Sequence, residues 1–271
     1  MKKIQYCLVV TVAVYTSLIH ADVTFTGWGE LGFLGVVDHK IQFGRSGTYF
    51  DYTENGGQDI LFPFSRLSVD ATINKKHTLV FLYQPLSIET EVLLDEPLVV
   101  DGLTFPDGTP IRLTYSFSFY RFSYLYTILR ENENQLSIGL SLQLRNAAIT
   151  FASLDGDFFR TNRDLGPVPA LKLRGRYSVG KRVWLGLEAD GIYAPVSYIN
   201  GSDNDVTGAI LDAVLRSGVA VNKRLDSFLA VRYLGGGAEG YSEDDMGPGD
   251  GYTKNWLHFI TISLGFAYDF N

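Results

Sequence analysis

The stretch Trp256-Leu-His-Phe-Ile-Thr-Ile-Ser-Leu-Gly-Phe-Ala-Tyr-Asp-Phe270 decides the fold. Every second residue, Trp256, His258, Ile260, Ile262, Leu264, Phe266, Tyr268 and Phe270, falls on one apolar face with aromatic ends. Thr261, Ser263, Gly265, Ala267 and Asp269 fall on the other. A repeat of two means a strand, because successive side chains of extended backbone point to opposite faces. Aliphatic residues flanked by aromatics suit a strand with one face in lipid. At ~3.3 Å per residue, Trp256 to Tyr268 rises about 40 Å, and a tilt of roughly 40° reduces the height to about 30 Å. That height fits an apolar membrane band plus its aromatic girdles.

The alternation recurs upstream. In residues 135–145, Leu136, Ile138, Leu140, Leu142 and Leu144 oppose Gln135, Ser137, Gly139, Ser141, Gln143 and Arg145. Similar patterns place strands at 23–34, 66–73, 77–84, 120–129, 171–179, 183–191, 209–221 and 225–234. With the terminal strand these make ten. The short connections are Asn74-Lys75-Lys76, residues 130–134, Gly180-Lys181-Arg182 and Asn222-Lys223-Arg224. The long ones are 35–64, 85–119, 146–170, 195–208 and 235–255. Short turns on one side and long loops on the other give an even-stranded antiparallel barrel with both termini on the short-turn, periplasmic side. Counts of eight or twelve stay open. Arg112, Thr114, Ser116 and Ser118 share one parity while Arg121 and Ser123 share the other, which suggests a bulge or boundary near Phe119–Tyr120.

The chain opens with Met-Lys-Lys, an apolar run from Tyr6 to Ile19, and His20-Ala21-Asp22. Residues 1–21 read as a signal peptide, leaving 22–271 as the barrel domain. Removing Lys2 and Lys3 leaves 21 basic against 30 acidic residues, a mature charge of −9, which argues against nucleic acid as a partner. The single cysteine, Cys7, lies in the removed segment, so the mature chain has no internal disulfide or thiolate metal site. No charge-free run of the mature chain reaches the ~18 residues of a membrane helix. A membrane chain without such helices must close into a barrel, since every backbone polar group in lipid needs an internal partner.

Charges sit on strand faces opposite aliphatic rows: Arg66, Asp70, Arg121, Arg145, Lys172, Arg174, Arg176, Glu188, Asp190, Asp212, Arg216 and Arg232. Centring the turn 180–182 on Lys181 sets Lys172 opposite Asp190 and Arg174 opposite Glu188. Two opposite-sign pairs from one register imply an inward ladder of ion pairs. A ten-stranded barrel is barely wider than its own side chains, so the expected lumen is largely filled. The alternative is a narrow path for small solutes or anions along the excess of basic groups.

Signals for catalysis are weak. His77 adjoins a short turn and His258 lies on the lipid-facing row. Asp38-His39, at the start of the first long connection, resembles an acid–base pair, but adjacency in sequence does not orient an imidazole. In residues 235–251, Glu239, Glu243, Asp244, Asp245 and Asp250 sit among glycines. Their spacing fits no recognised calcium loop, and we read a solvated loop without a metal or cofactor.

With its N-terminal signal, alternating strands and aromatic-ended last strand, the whole mature chain resembles bacterial outer-membrane β-barrel proteins. The resemblance implies outer-membrane lipids as surroundings and the barrel-assembly machinery as a partner. That machinery would read Phe266, Tyr268 and Phe270, although here Asn271 follows the last aromatic. Lipid-acting enzymes of that class rely on a Ser–His arrangement, often adjacent, and no His-Ser pair occurs here. Its ten-stranded proteases use Asp and His above the barrel, and their motifs find no match. The expected role is therefore non-enzymatic, structural or in surface interaction. A lipid-modifying or proteolytic activity is the least favoured reading, and no ligand is specified.

Overall fold

The structure, a computed structural model, describes residues 22–195, 205–241 and 249–270. The expected signal peptide lies outside the described residues. Alternating sequence becomes extended backbone in β1 (Val23–Phe43), β2 (Phe50–Asp51), β3 (Leu61–Ile73), β4 (His77–Gln84), β5 (Ser87–Leu93), β6 (Leu98–Val100) and β7 (Leu103–Phe105). It continues through β8 (Pro110–Glu131), β9 (Asn134–Ser153), β10 (Phe159–Ser178), β11 (Val183–Pro195), β12 (Asp205–Ala220), β13 (Leu225–Tyr241) and β14 (Tyr252–Asp269). Sequential wall strands pair antiparallel, and β14 returns to β1 from Thr26↔Asp269 to Phe43↔Thr253. Both β4 and β5 pair with β8, so together they form one wall position, broken at Pro85 and Leu86. The result is a closed barrel of ten wall positions. In the lower wall, among the described residues, closure pairs each strand on both sides, as a lipid environment requires, while β5 pairs with β8 alone.

The short turns sit at one end. Asn74 and Lys75 adopt φ of 52° and 58°, and the Lys76 N–H donates to the Ile73 carbonyl at 3.1 Å. Positive φ at both central residues matches the right-handed twist of the strands that such a turn joins. At the other end the strands run much further than the alternation alone indicates. The expected long connection 146–170 is instead the upper half of β9 and β10, joined by residues 154–158.

The reason is an inversion of environment partway up the barrel. In the lower part, lipid-facing rows are apolar: Leu31 is 71% exposed and Leu171 70%, with Phe33, Leu140, Leu215 and Ile262 alike. An apolar surface that continuous is not stable in water. Tyr83 stacks on Tyr120 at 5.0 Å, and Tyr233 accepts or donates a 2.6 Å hydrogen bond to His258 Nδ1, marking the upper rim. Above that rim the exterior turns polar and the interior apolar.

β8 shows this directly. Ile111, Leu113, Tyr115, Phe117, Phe119, Arg121, Ser123 and Leu125 are all buried on one continuous inward row. The slip expected at Phe119–Tyr120 is absent, and the register of β8 with β9 shifts only between Thr127 and Leu129. What changes at Phe119 is the chemistry of the interior, not the backbone.

A true bulge lies in β1, between Val36 and Asp38 in its pairing with β14. The bulge flips the parity of β1, so His39 faces inward. Above the rim, chain segments fold into the mouth. Phe50 and Tyr52 insert beside Phe43 and Phe151, and the β6–β7 hairpin contributes Leu98, Val100 and Phe105. Thr48 N–H donates to Val99 O at 2.8 Å, and Val99 N–H to Thr48 Oγ1 at 2.9 Å, fastening the hairpin across the opening.

Candidate functional site

The lower lumen holds the charges that the alternation aims inward. Lys172 lies opposite Asp190 and Arg174 opposite Glu188, the register counted from the turn at Lys181. These residues do not form two separate pairs. Glu188, 4% exposed, meets four cations: Lys172 at 2.8 Å, Arg174 at 3.2 Å, and Arg66 and Arg216 at 3.3 Å each. Lys172 also reaches Asp190 at 2.8 Å, and Arg174 also reaches Asp70.

Asp190 and Asp212 stand directly opposite each other on β11 and β12. Facing carboxylates repel. Arg121, 1% exposed, resolves this by placing Nη1 2.8 Å from both. Its Nη2 donates to Gln143 Oε1 at 2.7 Å. Arg232 holds the other side of Asp212 with Nε at 2.5 Å and Nη2 at 3.0 Å. Charge-assisted contacts of this kind are what make buried ions tolerable.

Sequence reading missed one member. Glu30 accepts from Arg216 Nη2 at 2.9 Å and from Ser263 Oγ at 3.0 Å, and lies 3.7 Å from Arg66 Nη1. The signal was available: Glu30 shares parity with Thr26 and Trp28, opposite Leu31 and Phe33. The network among described residues is then Glu30, Asp70, Glu188, Asp190 and Asp212 against Arg66, Arg121, Lys172, Arg174, Arg216 and Arg232. Arg176 forms a separate pair with Asp226 at 2.9 Å. With Glu30 and Asp226 added to the charges expected on the inner face, eight cations stand against six carboxylates, and the cationic excess that suggested an anion path is halved. Arg145 sits on the inward row by register, opposite Phe119, and its side chain lies outside the described residues.

Aromatic rings close the network from below and an apolar core from above. Trp28, Trp184 and Phe228 pack with centroids 5.7–6.5 Å apart. Arg176 lies 4.2 Å over the Trp184 ring, and Arg216 5.5 Å over Trp28, so cations rest on the rings. Above, Phe119 and Phe64 lie 5.8 Å and 5.7 Å from Arg232 and begin the apolar core.

None of the three histidines among the described residues is arranged for catalysis. His39 is fully buried rather than at the start of a loop: it stacks on Tyr52 at 4.4 Å, and its Nδ1 lies 2.8 Å from Gln58 Oε1. Asp38 faces the opposite way and pairs with Lys40 at 3.1 Å, so the sequence neighbours form no acid–base pair. His77 Nδ1 is 2.8 Å from the Tyr124 hydroxyl, and His258 bonds Tyr233. Of the carboxylates in 235–251, Glu239 binds Lys254 at 3.3 Å and Asp250 binds backbone N–H groups. Glu243, Asp244 and Asp245 lie outside the described residues, as does 196–204. No His/Cys/Asp/Glu group suited to a metal occurs among the described residues.

At the end of the chain, Tyr268 and Phe270 meet edge to face at 5.1 Å, and Phe270 N–H donates to Phe25 O at 3.0 Å. Phe266 and Tyr268 lie on the exposed lipid row.

No protein-family model matches the chain, and no curated protein matches it. Among solved structures the chain is similar to the outer membrane protease OmpT of Escherichia coli, with a TM-score of 0.48 and 12% identity over 91% of this chain and 97% of that one. It is similar to Ail of Yersinia pestis, solved with the heparin analogue sucrose octasulfate, with a TM-score of 0.35 and 11% identity over 91% and 99%. It is also similar to OprG of Pseudomonas aeruginosa, with a TM-score of 0.34 and 14% identity over 93% and 98%. None of these likenesses bears on what the chain does. By its own geometry, the chain is a closed antiparallel β-barrel of ten wall positions with an apolar outer band.

Proposed function

We propose that this barrel resides in the bacterial outer membrane with periplasmic termini, is closed by its own side chains, and acts through its extracellular face without catalysis. One observation carries the reading: a continuous charged network, capped below by aromatics and above by an apolar core, occupies the lumen where a channel would need an open path. A conducting pore needs sites that solutes enter and leave easily. Here the inward charged groups of the network contact one another. The buried His39 and the tyrosine-bonded His77 and His258 support the non-enzymatic part of the reading. Outer-membrane lipids surround the apolar band. The barrel-assembly machinery is the expected assembly partner through Phe266, Tyr268 and Phe270. Proteoliposomes carrying the refolded protein test the closed lumen: they should not swell in small sugars or release chloride faster than empty vesicles. Rapid flux of either solute overturns the reading.

A further inference from the structure

The lipid-facing wall is not uniformly filled. On β10, Gly175 falls on the exterior row between Leu136 and Leu187. A Cβ there would meet only Leu136 Cδ1 at 3.7 Å and the Gln135 carbonyl at 3.9 Å, so the missing side chain leaves open space. A groove of about 340 Å³ lies over it, walled by Leu129, Tyr177, Leu185, Leu187 and Leu215. Its volume falls within the range of small-molecule sites, roughly 300–1,000 Å³.

The groove sits near the short-turn end. The turn directly below it carries exposed Lys181 and Arg182. Of the two bracketing turns, one carries Arg130, Glu131 and Glu133, and the other Lys223 and Arg224. Five cations thus face two carboxylates, on a chain whose overall charge is −7. Lys181 is only four positions beyond Tyr177. An apolar slot open to lipid with exposed cations at the headgroup level is complementary to an acyl chain joined to a phosphate.

We infer that the Gly175 groove and the Lys181–Arg182 turn form a site for one anionic glycerophospholipid of the inner leaflet, with an acyl chain in the groove and the headgroup phosphate on the turn. The inference rests on the membrane placement proposed above and is independent of whether the lumen is closed. Lipid packs against the groove by dispersion contacts, and the turn supplies selectivity for charge.

Native mass spectrometry of the refolded protein in micelles doped equally with phosphatidylglycerol and phosphatidylethanolamine tests this. The wild type should retain phosphatidylglycerol in preference. Lys181→Gln and Arg182→Gln should each lower that preference about fivefold, as expected for a cation near an anionic headgroup. Gly175→Leu, whose side chain enters open space, should lose the retained lipid while keeping the heat-dependent gel shift of a folded barrel. Equal retention of both lipids by the wild type, or retention unchanged in Gly175→Leu, overturns the site. So does an equal loss from Lys75→Gln with Lys76→Gln on the β3–β4 turn. A wild type without the gel shift refutes the membrane placement itself, and the lipid site with it.

Discussion

Replacing Glu188 tests whether the lumen charges act as a network or as pairs. Counted from the turn alone, Arg174–Glu188 is an isolated ion pair, and exchanging the two charges should restore it. The structure says otherwise. Glu188 also touches Lys172, Arg66 and Arg216 within 3.3 Å, and Arg174 also touches Asp70. Each contact is worth about 4 kcal/mol in Coulomb terms at an effective dielectric near 20, most of it cancelled by desolvation. Breaking a buried pair costs about 3–5 kcal/mol net. Glu188→Gln should cost that much, well above the ~1 kcal/mol of a typical substitution. The double change Arg174→Glu with Glu188→Arg sets a guanidinium among three cations and a carboxylate against Asp70. It should be at least as destabilised as Glu188→Gln. Denaturant unfolding of refolded protein in micelles reads this out through Trp28 and Trp184, which lie beneath Arg216 and Arg176. If the exchange recovers half or more of the Glu188→Gln loss, the network account is refuted.

Arg121→Leu should cost about 3–5 kcal/mol by leaving Asp190 and Asp212 face to face, and adding Asp190→Asn should recover part of it; no recovery contradicts the clamp. Tyr268→Ala with Phe270→Ala strips the lower girdle and the terminal aromatic pair together, and outer-membrane levels should fall; unchanged levels on fractionation argue against an assembly role. The Arg45 and Tyr252 N–H groups hold the Asp250 carboxyl below the usual carboxylate range. A depressed carboxylate stabilises above its unfolded value and loses that contribution as pH falls through the folded one. Exchange protection at those two amides should therefore persist as pH falls into the usual carboxylate range and fail only below it; failure between pH 7 and 5 contradicts the contact.

The lower half of the fold was legible because lipid outside and polar groups inside give every strand the same unambiguous period. The upper half was not, because water outside and apolar core inside invert the pattern while the backbone continues. In β8 this made Ser118 and Arg121 look out of phase, although Phe117, Phe119 and Arg121 share one inward row. In β9 and β10 it disguised strand as loop. The register around Lys181 was readable from a short turn and two charge pairs. The parity of Glu30 with Thr26 and Trp28 marked it as inward, but its partners Arg216 and Ser263, 186 and 233 positions away, could not be read from any turn. The inward turn of His39 depends on a one-residue bulge that leaves no compositional mark.

Single-channel recording of the refolded wild-type barrel in a planar bilayer tests the central claim most directly. A lumen closed by the Glu188 and Arg121 network and the core above it should give a flat current at moderate voltage, in chloride and in larger anions alike. Large, steady conductance in the unmodified protein would contradict the account.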